Sequence, residues 1–236
     1  MTVNDRSAAE LTVLMPVYNE LHTVDTAIDR VLATGESVGG LELIIVDDGS
    51  TDGTRELLEN RSGLKNVQVL HHDRNRGKGA ALRTGLARAR GEYCTVMDAD
   101  LEYDPSNFSS LVKPLLAGEA DAVFGVRGFQ AHSAYSFWYV VGNKAVTLAA
   151  NVLYNAWLSD LMTCQKVLKT SVFQNLRLRQ SGFAIEAEIT ARLLRSGARI
   201  YEVPITYRAR RREEGKKLTP VDGLRVIATL ARCRLR

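Results

Sequence analysis

An α/β fold on a mostly parallel sheet is what this 236-residue sequence predicts, and three observations carry the prediction. Apolar runs of strand length alternate with segments of helical periodicity through the first hundred residues, the pattern of βαβ crossovers. One run, LELIIVDD at 41–48, is continuous and β-branched, as strands buried on both faces are. Three strand ends carry polar or acidic clusters, YNE, DDGSTDGT and DADLE, and in open parallel sheets ligands sit beyond the carboxyl ends of the strands. A composition of 45% hydrophobic and 25% charged residues excludes disordered, fibrous and collagen-like classes.

The elements follow in order. LTVLMPVYNE at 11–20 opens as a strand that ends at Pro16, and Leu21, Val24, Ile28, Val31 and Leu32 recur at helical spacing over 21–34. After the strand at 41–48 comes a glycine-rich loop in which Asp52 or Ser50 caps a helix starting at Thr54. VQVLHH at 67–72 is a third strand, DRNRGKG a loop, 80–90 a helix, and YCTVMDAD at 93–100 a fourth strand. ADAVFGV leads to Arg127, 133–158 reads as a long aromatic helix, and 181–207 as helix, turn and strand. Trp138, Tyr139, Tyr154 and Trp157 fit a core better than an interfacial belt. Without repeats or a clear linker, the chain reads as one domain over 1–236: about 11–130, about 131–218, and an extension at 219–236.

No apolar stretch approaches the roughly 20 residues of a membrane span, and MTVNDRSAAE lacks the apolar core of a secretion signal. Cys94, Cys164 and Cys233 show no CxxC or zinc spacing, so reduced thiols in a cytoplasmic protein are expected. Charge is uneven. Residues 199–236 carry eleven Lys/Arg against four acids, whereas the preceding 198 carry twenty against twenty-three. A basic terminus suits an anionic partner, and since no nucleic-acid motif accompanies it, nucleic acid is not expected.

DADLE is the sharpest chemical signal. Asp98 and Asp100 leave a strand at a turn, and oxygen donors so spaced suit Mg²⁺ or Mn²⁺, although three residues alone also fit solvated loop acids. Asp47 and Asp48 can accept hydrogen bonds from a base or ribose. The glycines around Lys78 let backbone N–H groups meet an anion at a helix start, or make a plain turn. Arg127 and the run YRARRREEGKK at 207–217 are candidate phosphate cations. His71 and His72 lack partners at ligand spacing and read as structural or surface residues.

Taken together, LMPVYNE, IIVDDGSTDGT, NRGKGAALRTG, VMDADLEYDP, GVR, DLMTCQKV and EVPITYRAR with EGKK resemble the inverting family-two glycosyltransferases, closest to the dolichol- and polyprenyl-phosphate sugar synthases. The resemblance runs from Leu11 to about Leu218 and implies a GT-A-type fold, a nucleotide-sugar donor (GDP-mannose or a UDP-hexose), a divalent cation and a polyprenyl-phosphate acceptor. It assigns the nucleoside to Pro16, Tyr18, Glu20, Val46 and Asp48, the donor to Lys78, Asp98 and Ala99, and the metal to Asp100 and Glu102, where the family usually has Gln. It places Arg127, Arg210 and Lys216 near the phosphates. The first two segments of the chain become a donor half and an acceptor half.

Two departures stand out: GK for the family's SK, and Gln165 for an aromatic in TCYKV. Either would alter sugar or acceptor choice. A hydroxyl acceptor would instead need a carboxylate base, for which Asp160 is the candidate, with helix capping its simpler role.

The extension reads as a basic amphipathic helix from Pro220. Its apolar stripe, Leu224, Ile227, Leu230 and Ala231, would lie on a membrane or on the domain itself. The implied setting is peripheral, on the cytoplasmic face of a membrane, with room for a separate membrane-protein partner.

Overall fold

The computed structural model describes residues 11–128, 137–209 and 220–235. Seven strands form one sheet: β1 (Leu11–Val17), β2 (Leu41–Asp47), β3 (Val67–His71), β4 (Tyr93–Val96), β5 (Ala122–Arg127), β6 (Lys166–Lys169) and β7 (Ile200–Ile205), in the order β3-β2-β1-β4-β6-β5-β7. Eight helices connect and flank them: α1 (Val24–Leu32), α2 (Thr54–Arg61), α3 (Lys78–Leu86), α4 (Phe108–Leu116), α5 (Phe137–Tyr154), α6 (Thr170–Asn175), α7 (Ile185–Arg195) and α8 (Pro220–Leu235).

The apolar runs of β1 and β2 are buried on both faces, as central parallel strands require. β1 pairs in parallel with β2 and with β4, so that Val17 faces Asp47 and Leu14 faces Val96. β6 alone runs antiparallel, wedged between β4 and β5. Two antiparallel pairings restore direction, so β1, β2, β4 and β5 all end at one edge. The segments after these strands, 18–20, 48–53, 97–104 and the end of β5 at Arg127, therefore gather there.

β6 is the strand that the sequence reading passed over, along with the helices α4 and α6. Its four residues, KVLK, are too few to show a period, and Lys166 interrupts them with a charge. That lysine is nevertheless among the most completely buried side chains described.

A second core cluster lies off the sheet, where α5, α7 and α8 pack together around Val146, Ala150, Ala187, Val226 and Leu230. The stripe expected on α8 is thus divided: Leu230 joins Val226, from beside the stripe, in this cluster, and Leu224 and Ile227 stay exposed. The aromatic expectation needs correcting too. Trp138 and Trp157 are 77% and 88% exposed, while Tyr154 donates from its hydroxyl to the Leu230 carbonyl at 2.7 Å.

Candidate active site

The gathered strand ends enclose a cleft of about 340 Å³. Pro16, Tyr18 and Glu20 line it from the end of β1, Asp48 from β2, Lys78 from α3, and Asp98, Ala99, Asp100 and Glu102 from the loop after β4. Arg127 closes it from β5. These ten are the predicted site residues that the fold brings together. Val46 is not among them: it lies in β2 with its side chain against α3 at Gly85. Arg210 and Lys216 lie outside the described residues.

Asp160 is also absent from the cleft wall. It is fully buried and grips Arg127, its two oxygens accepting from Nε at 2.6 Å and from Nη2 at 2.8 Å. Asn143 donates to it at 3.1 Å. Burial would push its carboxyl up, but these contacts with Arg127 outweigh burial and hold it below the ordinary aspartate range. A carboxylate so paired cannot serve as the expected base, and it caps no helix. It orients Arg127, whose guanidinium also lies 5.1 Å from the Tyr207 ring centroid and 3.3 Å from the Tyr139 hydroxyl.

Two neighbouring aspartates divide the labour at the end of β2. Asp47 points away from the cleft, accepting from Arg55 Nε and the Ser50 backbone N–H, both at 2.9 Å, with His71 Nδ1 3.2 Å away. Asp48 lines the cleft and accepts from the N–H groups of Arg76 and Gly77 at 2.9 and 2.7 Å, with His72 Nδ1 at 2.7 Å. Both histidines are therefore structural. The loop before α3 also differs from expectation, because three of its N–H groups are already used. Those of Arg76 and Gly77 go to Asp48, and that of Gly79 goes to the Ser181 carbonyl at 2.7 Å. What the loop presents to the cleft is Asn75, Gly77 and Lys78. The N-cap of α2 is Gly53, at φ +96°, and no side chain caps the helix; Asp52, one residue earlier, accepts from the Thr54 N–H at 3.1 Å within the turn.

Lys78 Nζ sits 2.8 Å from Asp98 and 3.3 Å from Glu186. Burial alone would depress its ammonium, but the two carboxylates dominate and hold it above the usual lysine range. Glu186 in turn lies 2.7 Å from Lys166 Nζ, which also donates to the carbonyls of Leu161 and Thr163. All three ammonium protons of this buried lysine are thus matched. Burial would raise the Glu186 carboxyl, yet Lys166 and Lys78 keep it below the ordinary glutamate range.

The sequence reading missed Glu186 and Lys166. The signal was faint: a charge inside each of two apolar runs, TCQKVLK and GFAIEAEI, with no indication that they meet. Gln165 is likewise resolved by the fold. Its amide donates to the Asp104 carbonyl at 3.2 Å and accepts from Asn107 at 3.3 Å, so it ties down the turn after the acidic loop and does not face the cleft.

The acidic loop itself is sharply bent. Leu101 adopts φ +63°, a left-handed conformation that costs a leucine roughly 1–2 kcal/mol, and the Asp100 side chain accepts from the Glu102 N–H at 3.1 Å. The Glu102 carboxylate accepts a hydrogen bond from the Tyr207 hydroxyl. Among the described residues no three His, Cys, Asp or Glu side chains are disposed to hold a metal by themselves. Asp98 is engaged by Lys78, and Asp100 and Glu102 are the other two carboxylates of this loop on the cleft wall. One or two carboxylates completed by substrate phosphates is how Mg²⁺ is commonly bound, and this donor set fits it.

Comparison with known proteins decides the family. Residues 12–177, well over half of the chain, match the model of "Glycosyl transferase family 2". The chain belongs to that family. Glycosyltransferase AglJ of Haloferax volcanii is 28% identical over 89% of this chain and 67% of its own length. The dodecaprenyl-phosphate galacturonate synthase of Rhizobium johnstonii is 30% identical over 85% and 60%. The chain thus spans roughly two thirds of the length of these two relatives.

Glucosyl-3-phosphoglycerate synthase of Mycobacterium tuberculosis, solved with Mn²⁺, UDP and phosphoglyceric acid, superposes with a TM-score of 0.71 at 26% identity, covering 95% of this chain and 78% of that one. Its complex with Mg²⁺ and UDP gives 0.72 at 25% identity, covering 95% and 79%. The family-two chain therefore has the GT-A-like α/β fold.

Proposed function

We propose that this family-two glycosyltransferase moves a sugar from a nucleotide-sugar donor, GDP-mannose or a UDP-hexose, to a polyprenyl or dolichyl phosphate, working peripherally at the cytoplasmic face of a membrane. The observation that carries the reading is the meeting, on the lining of one cleft, of the carboxylates Asp98, Asp100 and Glu102 with the buried, pre-oriented cation Arg127. The 30% identical relative that is a dodecaprenyl-phosphate galacturonate synthase supports the acceptor. The UDP complexes of the mycobacterial enzyme support the donor. On this reading 11–130 is the donor half and about 131–218 the acceptor half of one domain.

Inverting transfer is an in-line displacement at the anomeric carbon, so the protein's task is positioning and charge stabilisation. Pro16, Tyr18, Glu20 and Asp48 would cradle the nucleoside, and Lys78, beside Asp98, would meet the diphosphate. Asp100 and Glu102 would hold Mg²⁺ or Mn²⁺, which supplies Lewis-acid neutralisation of the departing diphosphate. Arg127, with its orientation locked by Asp160, would align the acceptor phosphate. A phosphate oxygen is already anionic near neutrality, so no general base is needed, which agrees with the engagement of Asp160. A hydroxyl acceptor would need a base, and among the described carboxylates Asp160 and Glu186 are both committed to cations. Arg210 and Lys216 complete the proposed phosphate cations.

The test is a donor screen with purified protein, Mg²⁺ or Mn²⁺ and a polyprenyl phosphate, followed by organic extraction. Labelled sugar should enter the organic phase with one donor. Label confined to the aqueous phase with every donor would overturn the reading.

A further inference from the structure

α5 and α8 each carry two apolar faces. One faces inward, where Val146 and Ala150 of α5 meet Val226 and Leu230 of α8 in the cluster shared with α7. The other faces solvent. On α5 it comprises Trp138, Val141, Leu148 and Val152, between 40% and 77% exposed, at steps of three, seven and four that keep them on one side of a helix. On α8 it comprises Leu224, Ile227 and Leu235, between 40% and 87% exposed. An amphipathic helix of a globular domain needs one apolar stripe for its core. A second, exposed on two helices that pack against each other, marks an interaction surface.

Trp157 stands exposed just beyond the end of α5 and is held in place. The chain leaves α5 through Asn155 at φ +49°, and the Asn151 side chain exchanges two hydrogen bonds with the backbone of Leu158, at 2.9 and 3.0 Å. The indole thus stands 88% exposed on an ordered turn. The surrounding charge is mostly positive. α5 has Lys144 and no acid, and α8 has Arg225, Arg232 and Arg234 against the single acid Asp222, which sits 3.4 Å from Arg225.

We infer that the outward faces of α5 and α8, with Trp157, form a docking surface for an anionic lipid bilayer. Exposed tryptophans and aliphatic side chains suit the headgroup–acyl boundary, and bordering arginines suit anionic headgroups. No described helix is long and apolar enough to cross a membrane, so the surface rests on the bilayer. The inference deepens the polyprenyl-phosphate reading and rests on it for its purpose. Tyr139, next to Trp138, lines the cleft and touches Arg127, so docking brings the cleft to the headgroup level, where a polyprenyl phosphate displays its phosphate.

The experiment is co-sedimentation of the full chain with phosphatidylcholine vesicles, with and without phosphatidylglycerol. The protein should bind the anionic vesicles more tightly, and salt should weaken that binding. The double variant Val152→Ser/Trp157→Ser should lose about tenfold or more in partitioning. Arg225→Gln/Arg232→Gln should lose about twentyfold on anionic vesicles only. Neither pair touches the cleft, so both variants should melt like the wild type, and either one alone suffices to read the result.

Failure of the wild type to bind anionic vesicles would overturn the inference, as would equal binding by both variants. Self-association abolished by these substitutions, without vesicle binding, would assign the face to a second copy and also overturn it. Transfer to a short-chain polyprenyl phosphate in detergent separates the two readings. Wild-type rates in both variants support a surface that only docks. Vesicle binding without any such transfer would remove the acceptor assignment and leave the docking surface standing.

Discussion

Arg127 and Asp160 form a two-toothed ion pair almost wholly removed from water, at 2.6 and 2.8 Å, with Arg127 only 3% exposed. Breaking a buried pair by removing one partner leaves an uncompensated charge. Asp160→Asn should therefore destabilise the protein by about 3–5 kcal/mol in denaturant unfolding. It should also slow transfer without introducing a new ionisation between pH 6 and 9. A variant of wild-type stability, inactive because it has lost a titrating base, would reinstate Asp160 as the general base.

The same carboxyl sets a pH dependence. Its pKa is lower in the folded chain than in the unfolded one, and that of Glu186 is lowered too. Stability from both is fully present above the unfolded values of about 3.9 and 4.3 and is lost as pH falls through the lower folded ones. The denaturant midpoint should hold between pH 5 and 7 and drop below about pH 4, and the drop should be shallower in Asp160→Asn. An unchanged slope in that variant would dissociate Asp160 from acid unfolding.

How far the sequence reveals this arrangement depends on the range of each interaction. β1 and β2 are legible because burial on both faces leaves continuous apolar runs, and Asp98 and Asp100 because a polar pair closes such a run. The Lys78–Glu186–Lys166 chain is not legible: its members lie 108 and 20 residues apart and are joined only when β6 inserts antiparallel beside β4. Nor does periodicity tell which aromatic face of α5 meets the core, because apolar residues occupy both sides and α8 covers only one. Val46 shows the opposite failure. Its place in a motif suggests a ligand, but strand alternation turns it toward α3.

Glu186→Gln should be among the most damaging single changes away from the acidic loop. It leaves Lys166 fully buried without its carboxylate and Lys78 with Asp98 alone. A loss of about 3–5 kcal/mol is expected, measurable in urea. Lys166→Met combined with Glu186→Gln should recover part of it, because replacing both charges removes the orphan. A double variant no more stable than Glu186→Gln would break the assignment.

Asp100→Ala and Glu102→Gln separate catalysis from folding. The Asp100 carboxylate accepts a local N–H bond and Glu102 a hydroxyl hydrogen bond, and each change should cost about 1 kcal/mol of stability. Transfer should be abolished by the first and require more Mg²⁺ or Mn²⁺ with the second, since an uncharged oxygen donor remains. Chelator-treated wild type turning over at the metal-supplemented rate would refute a metal site here.

The approach of α3 to the loop before α7 provides the last test. A Cβ built on Gly79 would lie 2.3 Å from the Gln180 carbonyl oxygen and 3.1 Å from Ile185, inside contact distance of a backbone that cannot swing aside. That loop continues into Gly182 and Phe183, which line the cleft. Gly79→Ala must therefore displace the loop, break the 2.7 Å bond from the Gly79 N–H to Ser181, or both. Helix propensity alone favours alanine by about 1 kcal/mol, so the two effects have opposite signs. The contact should win, with a net loss of about 1–3 kcal/mol, the usual cost of overpacking. Because the loop forms a cleft wall, KM for the nucleotide sugar should rise more than kcat falls. Gly118→Ala is the control: it has open space around it and φ +71°, so it should show conformational strain alone and leave KM unchanged. A Gly79→Ala protein as stable as the wild type, with unaltered KM, would mean that the loop yields freely and that its contact with α3 does not shape the cleft.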